Sequence, residues 1–319
     1  IALYVMSGDQ GGHTFDLAAL SQLQMSSTTQ NFLFLGFFIA FAIKAPLWPF
    51  HTWLPTAAKS ATAGTSTLLL GVLDKVGTYG MIRFCMSFFP DATKTFTPYI
   101  ITLAVISILY GAFLAIGQKD INSLIAFTSI SHFGFITLGI FALTSQSLTG
   151  AIFYMVNHGF GTAALFLTAG WMIKRRGSSQ IADFGGLQRV APVLAWSFFI
   201  AGLSALALPG LSSFVSEFLV LLGAYAKYQV AAILGTLGII LAALYVLLAV
   251  QRAIHGETPA SSAGIADLNL REKIAIAPVI AILVVLGFYP KPALEVINPT
   301  TQTIMTNAGV SDPIAKVVK

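Results

Sequence analysis

Charge is scarce in this chain. Of 319 residues only 9% are Asp, Glu, Lys or Arg, against roughly 25% in an ordinary soluble domain. Too few charges remain to cover a water-facing surface, so most of the outer surface must face lipid. Cysteine is almost absent as well. The single Cys85 excludes an intrachain disulfide, a cysteine-ligated iron–sulfur cluster and a structural zinc site on this chain. There is no low-complexity tract, no glycine-rich phosphate loop on a βαβ pattern, and no signal peptide with a basic head and small-residue cleavage site. The first residue is Ile1, and IALYVM reads as the end of a span whose start lies upstream, so a fragment lacking its N-terminal part is expected.

What the chain has in abundance is apolar sequence, with 56% hydrophobic residues and a mean hydropathy of +0.83. A helical span takes roughly 20 apolar residues. Eight such stretches are expected, at about 31–50, 65–88, 98–117, 121–143, 148–172, 192–222, 229–251 and 274–290, with 1–6 as a remnant of a ninth. The expected fold is an all-α membrane protein, a single polytopic bundle over 1–319 with a C-terminal tail from 291 to 319. Two spans are interrupted. The first carries Pro46 and Pro49 just after Lys44, and the sixth carries Pro209 and Gly210. Proline removes a backbone donor, and in lipid the freed groups need protein or water partners, so discontinuous helices of this kind suit ion transporters as well as simple kinks.

The net charge of +5 sits mostly in short loops, so it reports topology rather than nucleic-acid binding. Lys59, Lys119, Lys174, Arg175, Arg176, Arg189, Arg252, Arg271 and Lys273 fall on one side. Lys94, Lys227, Lys291, Lys316 and Lys319 fall on the other. The first side is expected to be cytoplasmic, in a bacterial plasma membrane, with the C-terminus outside.

The chemistry lies in ionisable residues within the spans. Lys75, His132 and His158 sit near the middles of their stretches, Glu217 follows the second break and Lys44 precedes the first. A charge at the bilayer centre costs about 2.5–3.5 kcal/mol even on the lenient insertion scale. One such histidine would be explained by a hydrogen bond to a neighbouring helix. Five groups in five spans point instead to a proton relay, because burial disfavours the charged forms and lets such groups exchange protons close to neutral pH. Asp74 adjoins Lys75 but faces another direction, since neighbours one apart on a helix diverge. It is a candidate charge partner for Lys44 or Arg83. Glycines at 71, 77, 80, 159 and 161 allow close helix contact.

At KAPLWPFHTWLP, GVLDKVGTYG, SLIAFTSISHFGF, MVNHGFGTAALF and LPGLSSFVSEF the sequence resembles the antiporter-like membrane subunits of respiratory complex I, the proton-pumping NADH:quinone oxidoreductase. These motifs cover about 31–225, and weaker similarity through GFYPKP extends to about 292. Within the family the chain M type (chain 4 in mitochondrial naming) matches best, because Glu217 stands where the L and N types and the subunits of sodium/proton antiporters usually carry lysine. The resemblance implies that Lys44 pairs with an upstream glutamate and that Lys75 is the central lysine. It makes His132 and His158 relay groups and Glu217 the terminal proton site. It also implies L-type and N-type partner chains in the bilayer. NADH, FMN, iron–sulfur clusters and quinone are expected on other subunits, with no redox cofactor on this chain. The usual W-L-P-D-A-H and D-I-K-R segments are altered at Thr56, Ala58, Asn122 and Ser123, away from the mid-depth groups. The alternatives are a subunit of a multi-subunit sodium/proton antiporter and a purely structural membrane scaffold.

Overall fold

A computed structural model describes residues 1–310, so Lys316, Lys319 and the end of the expected tail lie outside the described residues. Fifteen α-helices follow in chain order among them. The short α1 (Ala2–Gly8) and α2 (Leu17–Leu20) lead into α3 (Ser27–Lys44), α4 (Trp53–Ser60), α5 (Ala63–Leu68) and α6 (Lys75–Gly80). Next come α7 (Pro90–Ile116), α8 (Ile121–Phe141), α9 (Ser145–Arg176), α10 (Leu187–Val190), α11 (Pro192–Ala205) and α12 (Ser212–Tyr225). The last are α13 (Gln229–Ile254), α14 (Leu270–Phe288) and α15 (Lys291–Asn307). Asp120 and Gln180 form an isolated antiparallel bridge.

By length and composition α7, α8, α9 and α13 can each cross a membrane among the described residues, and α14 with α15 passes the same test as a pair bent by 71°. The 21 residues of α8 rise about 31 Å, close to the hydrocarbon thickness of about 30 Å. This helix is the hub of the bundle. Nearly all of its side chains are buried, against α7 and α9 in particular. Polar hydroxyls stitch that packing: Ser107 donates to the Ile130 carbonyl at 3.1 Å, and Ser131 donates back to the Ile108 carbonyl at 2.9 Å.

Both proline-marked breaks are real interruptions. The expected span over 31–50 ends its helix at Lys44, and the chain then turns through Pro46 and Pro49 before α4. The carbonyl of Ile43 at this break accepts from the Trp53 indole at 2.9 Å. The expected span over 192–222 divides into α11 and α12. Between them Ala207 and Gly210 adopt positive φ values of 56° and 94°, and Gly210 suits that conformation because it has no Cβ. Asn157 of α9 holds the start of α12 just after the second break, donating to the Ser212 carbonyl at 3.0 Å and to the Ser216 hydroxyl at 2.6 Å.

Two departures from the sequence reading matter for the site. The stretch expected at 65–88 as one span is wound as α5, a π-helical turn at Leu69–Leu73, α6 and a second π-helical turn at Met81–Met86. The region from 291, expected as a tail, continues as α15 through Asn307. Pro292 stands in its first turn, where a missing amide is tolerated.

Candidate functional site

Close helix approach sets the positions of the ionisable groups. At Gly77 a Cβ would lie 2.6 Å from the Ala45 amide and 2.6 Å from the Phe41 carbonyl, so α6 presses directly on the broken end of α3. That contact brings Lys44 Nζ to 3.9 Å from the Asp74 carboxylate. Of the two partners left open for Asp74, the structure pairs it with Lys44. Asp74 is fully buried and neither carboxylate oxygen accepts a hydrogen bond, whereas the Lys44 side chain is 37% exposed and also lies 5.8 Å over the Trp53 ring.

Lys75 points the other way, toward α9. A Cβ on Gly159 would sit 2.8 Å from the Gly71 carbonyl, so α9 crosses the first π-helical turn at van der Waals contact. That turn supplies the Leu70 carbonyl, which accepts a short hydrogen bond from Lys75 Nζ. The ammonium also stands 5.3 Å over the Phe133 ring of α8 and borders a cavity of about 380 Å³ between the π-helical turn and α9.

Phe133 is the bridge to the histidines. Its ring centre is 5.2 Å from that of His158, and His158 is 5.2 Å from His132. The imidazoles stand nearly perpendicular to each other, at 87°. Nε2 of His158 meets the Thr162 hydroxyl at 3.2 Å. Nε2 of His132 and Nδ1 of His158 are buried with no hydrogen-bond partner in the protein. Both residues line a cavity of about 10 Å³ with Thr128, Ser129, Thr162 and Ser213, which is close to the smallest space that holds one water molecule.

Glu217 lies beyond the histidines on α12, buried, one turn and a half past the start of the helix. Its carboxylate accepts a short hydrogen bond from the Tyr154 hydroxyl, and it borders a largely apolar cavity of about 550 Å³ with Leu206 to Pro209. The groups named from the sequence are therefore arranged in one row: Lys44 meets Asp74, and from the adjacent Lys75 contacts run through Phe133, His158, His132 and Tyr154 to Glu217. Pro46, Pro49, Pro209 and Gly210 lie at the two breaks, next to the two ends of the row: Lys44 closes the helix before Pro46, and Pro209 lines the cavity that Glu217 borders. Tyr154, Asn157 and Phe133 were not anticipated. Tyr154 and Asn157 lie one helical turn and one residue before His158, so the MVNHG neighbourhood carried the available signal. Among the described residues no three His, Cys, Asp or Glu side chains gather as a metal site.

The structure is thus a bundle of apolar helices, two of its expected spans broken, with ionisable side chains buried through its middle. The family model described as NADH:quinone oxidoreductase/Mrp antiporter, transmembrane, matches residues 1–244, and the chain belongs to that family. Over 99% of its length the chain is 50% identical to NADH-quinone oxidoreductase subunit M of Mycobacterium tuberculosis, of which it covers 58%. Over 96% of its length it is 38% identical to the subunit M of Rhodobacter capsulatus, covering 62% of that protein. A chain in respiratory complex I from Thermus thermophilus with bound NADH superposes with a TM-score of 0.90 at 32% identity, over 96% of this chain and 65% of that one. A chain of the Mrp complex from a Dietzia species shares the fold, with a TM-score of 0.83 at 21% identity over 96% of this chain and 66% of that one. The chain thus spans about 58% of the Mycobacterium relative it matches.

Proposed function

We propose that this chain is a proton-translocating membrane subunit of an NADH:quinone oxidoreductase. Quinone reduction elsewhere in the complex would be coupled to proton movement along Lys44, Lys75, His132, His158 and Glu217. The observation that carries the reading is the row of side-chain contacts that joins Lys44 to Asp74 and, from the adjacent Lys75, runs through Phe133, His158, His132 and Tyr154 to Glu217, built across five separate helical segments. The identity of 50% to an NADH-quinone oxidoreductase subunit M supports the same assignment.

In the proposed cycle, separation of Lys44 from Asp74 alters the field at Lys75. The Lys75 ammonium, held by a single carbonyl and an aromatic face, gives up a proton toward the histidine pair. Phe133 stands between donor and acceptor, so that transfer waits on water entering past its ring. The histidines pass the proton on to Glu217, whose cavity opens beside the second break. Redox cofactors belong to partner subunits, and L-type and N-type chains are the neighbours in the bilayer. The excess of Lys and Arg in their loops supports an orientation with the C-terminal ends of α9 and α13 on the cytoplasmic side of a bacterial plasma membrane and the C-terminus opposite.

The experiment is proton pumping by the assembled complex in proteoliposomes with Lys75→Ala or Glu217→Ala in this subunit. Each substitution is expected to lower pumping at least several-fold. Unchanged pumping in both variants would sink the relay.

A further inference from the structure

The proton line has one gap that its named groups do not close. The histidine pair lies on α8 and α9, Glu217 lies on α12, and no imidazole touches the carboxylate. Tyr154 fills that position. Its side chain is fully buried, its hydroxyl donates to Glu217 Oε1, and its ring centre is 5.7 Å from His132 and 6.4 Å from His158. The other polar groups at this place are occupied differently. Asn157 commits its amide protons to the Ser212 carbonyl and the Ser216 hydroxyl, and Tyr245, the other large fully buried tyrosine, has Thr128 as its hydrogen-bonding neighbour and does not bond Glu217.

We propose that the Tyr154 phenol is the hand-over group between the histidine pair and Glu217, an inference that rests on the proton relay proposed above. A phenol donates and accepts at one oxygen, and it is neutral at rest, so it can be buried without the cost of an isolated charge. The step balances on three groups. A proton leaves an imidazolium N–H, through water, and forms a new O–H bond at the Tyr154 oxygen. The original Tyr154 O–H bond breaks as its proton moves onto the Glu217 carboxylate. The imidazole ends neutral, the carboxylate becomes a carboxylic acid and the tyrosine is restored. A phenylalanine at position 154 keeps the ring packing on His132 and His158 but removes both halves of the exchange.

The test uses the whole oxidoreductase complex in proteoliposomes, with NADH and quinone supplied, and compares Tyr154→Phe with Glu217→Gln. Tyr154→Phe is expected to assemble, to keep oxidising NADH, and to lose protons per NADH to the same extent as Glu217→Gln. The infrared C=O stretch of the Glu217 carboxyl should move to higher frequency once the phenol donor is gone, a signature that loss of packing alone would not give. Full pumping by Tyr154→Phe beside impaired pumping by Glu217→Gln overturns the inference and leaves the relay standing. Full pumping by Glu217→Gln overturns the relay itself. If Tyr154→Phe does not assemble, 3-fluorotyrosine at position 154 keeps the shape and makes the phenol more acidic. A changed pumping rate supports the hand-over, and an unchanged rate overturns it.

Discussion

Asp74 shows how much one carboxylate decides at the residue scale. It is fully buried, its oxygens accept no hydrogen bond, and the group facing it is the Lys44 ammonium at 3.9 Å. Removing one partner of a buried pair costs about 3–5 kcal/mol when both ions are enclosed. Lys44 is more than a third exposed, so water relieves much of that cost here. Asp74→Asn should therefore leave the protein assembled but lower proton pumping several-fold, because the field that Lys44 and Lys75 share loses its negative member. Arg83→Gln, which alters the alternative partner, should leave pumping near normal. Pumping assays on the two variants side by side check both halves, and an impaired Arg83→Gln with an intact Asp74→Asn would reverse the assignment. The ionisable residues were legible because lipid makes each one costly. Tyr154 and Asn157 were not, because their partners Glu217 and Ser212 lie 63 and 55 residues away and nothing local marks the pairing.

Elements were legible where residue chemistry forces them. Pro46 with Pro49, and Pro209 with Gly210, announced breaks that the backbone has. The π-helical turns were silent in the sequence. Leu69–Leu73 contains no proline, and its single Gly71 does not by itself announce a π-turn; Lys75 caps the Leu70 carbonyl locally and α9 crosses at Gly71. The contact of α6 on α3 predicts a sharp steric effect. Gly77→Val has no room beside Ala45 and Phe41, and over-packing of this kind costs about 1–3 kcal/mol. The expected outcome is less assembled complex and, in what assembles, weaker pumping through a displaced Lys44–Asp74 pair. Yield and pumping equal to those of the unaltered protein would contradict it.

A second element-level device lies outside the bundle. Asp267, in the segment joining α13 to α14, accepts from the Val193 and Leu194 amides at 3.0 and 2.9 Å and so caps α11. Partial burial pushes its carboxyl up, but hydrogen bonds from Val193, Leu194 and Leu268, with Lys273 nearby, outweigh that and hold it below its ordinary value of 3.8. Arg175 anchors the same segment, donating to the Ala266 carbonyl at 2.8 Å and to Glu272 at 2.5 Å. Asp267→Ala should lower stability by about 1 kcal/mol, the usual worth of such a cap. A depressed carboxyl stabilises above its unfolded value and loses that contribution as the pH falls through the folded value. Thermal unfolding in detergent should therefore separate Asp267→Ala from the unaltered protein at neutral pH, with the two converging as the pH drops below 3.8 toward the folded value. A constant gap at all pH values would rule out the cap.

At the scale of the whole molecule, charge and apolar surface are segregated. Arg175, Arg176, Asp183, Asp267 and Glu272 hold one end together through hydrogen bonds among the loops. Leu68, Val72, Val76 and Tyr79 form an exposed apolar stripe along α5, the first π-helical turn and α6, and Val230, Ile233, Leu237, Ile240, Leu244 and Leu247 form another along α13. Stripes of that length mark surfaces meant for lipid or for other membrane chains. The proposed orientation has its own test. Cys85 is buried, so cysteines introduced as Arg189→Cys and Lys94→Cys can be labelled over a low background. A membrane-impermeant maleimide should reach position 189 in inside-out vesicles and position 94 in right-side-out vesicles, and the opposite pattern would invert the topology.

The claim on which all of this depends is that the middle of the line carries protons. It is tested most directly by counting protons translocated per NADH oxidised in proteoliposomes whose complex carries His132→Gln and His158→Gln together. These substitutions keep hydrogen-bonding side chains in the pocket but remove both groups able to hold the proton. Continued NADH oxidation with fewer protons per NADH is the predicted result. A full proton count with both histidines gone would show that the protons cross elsewhere.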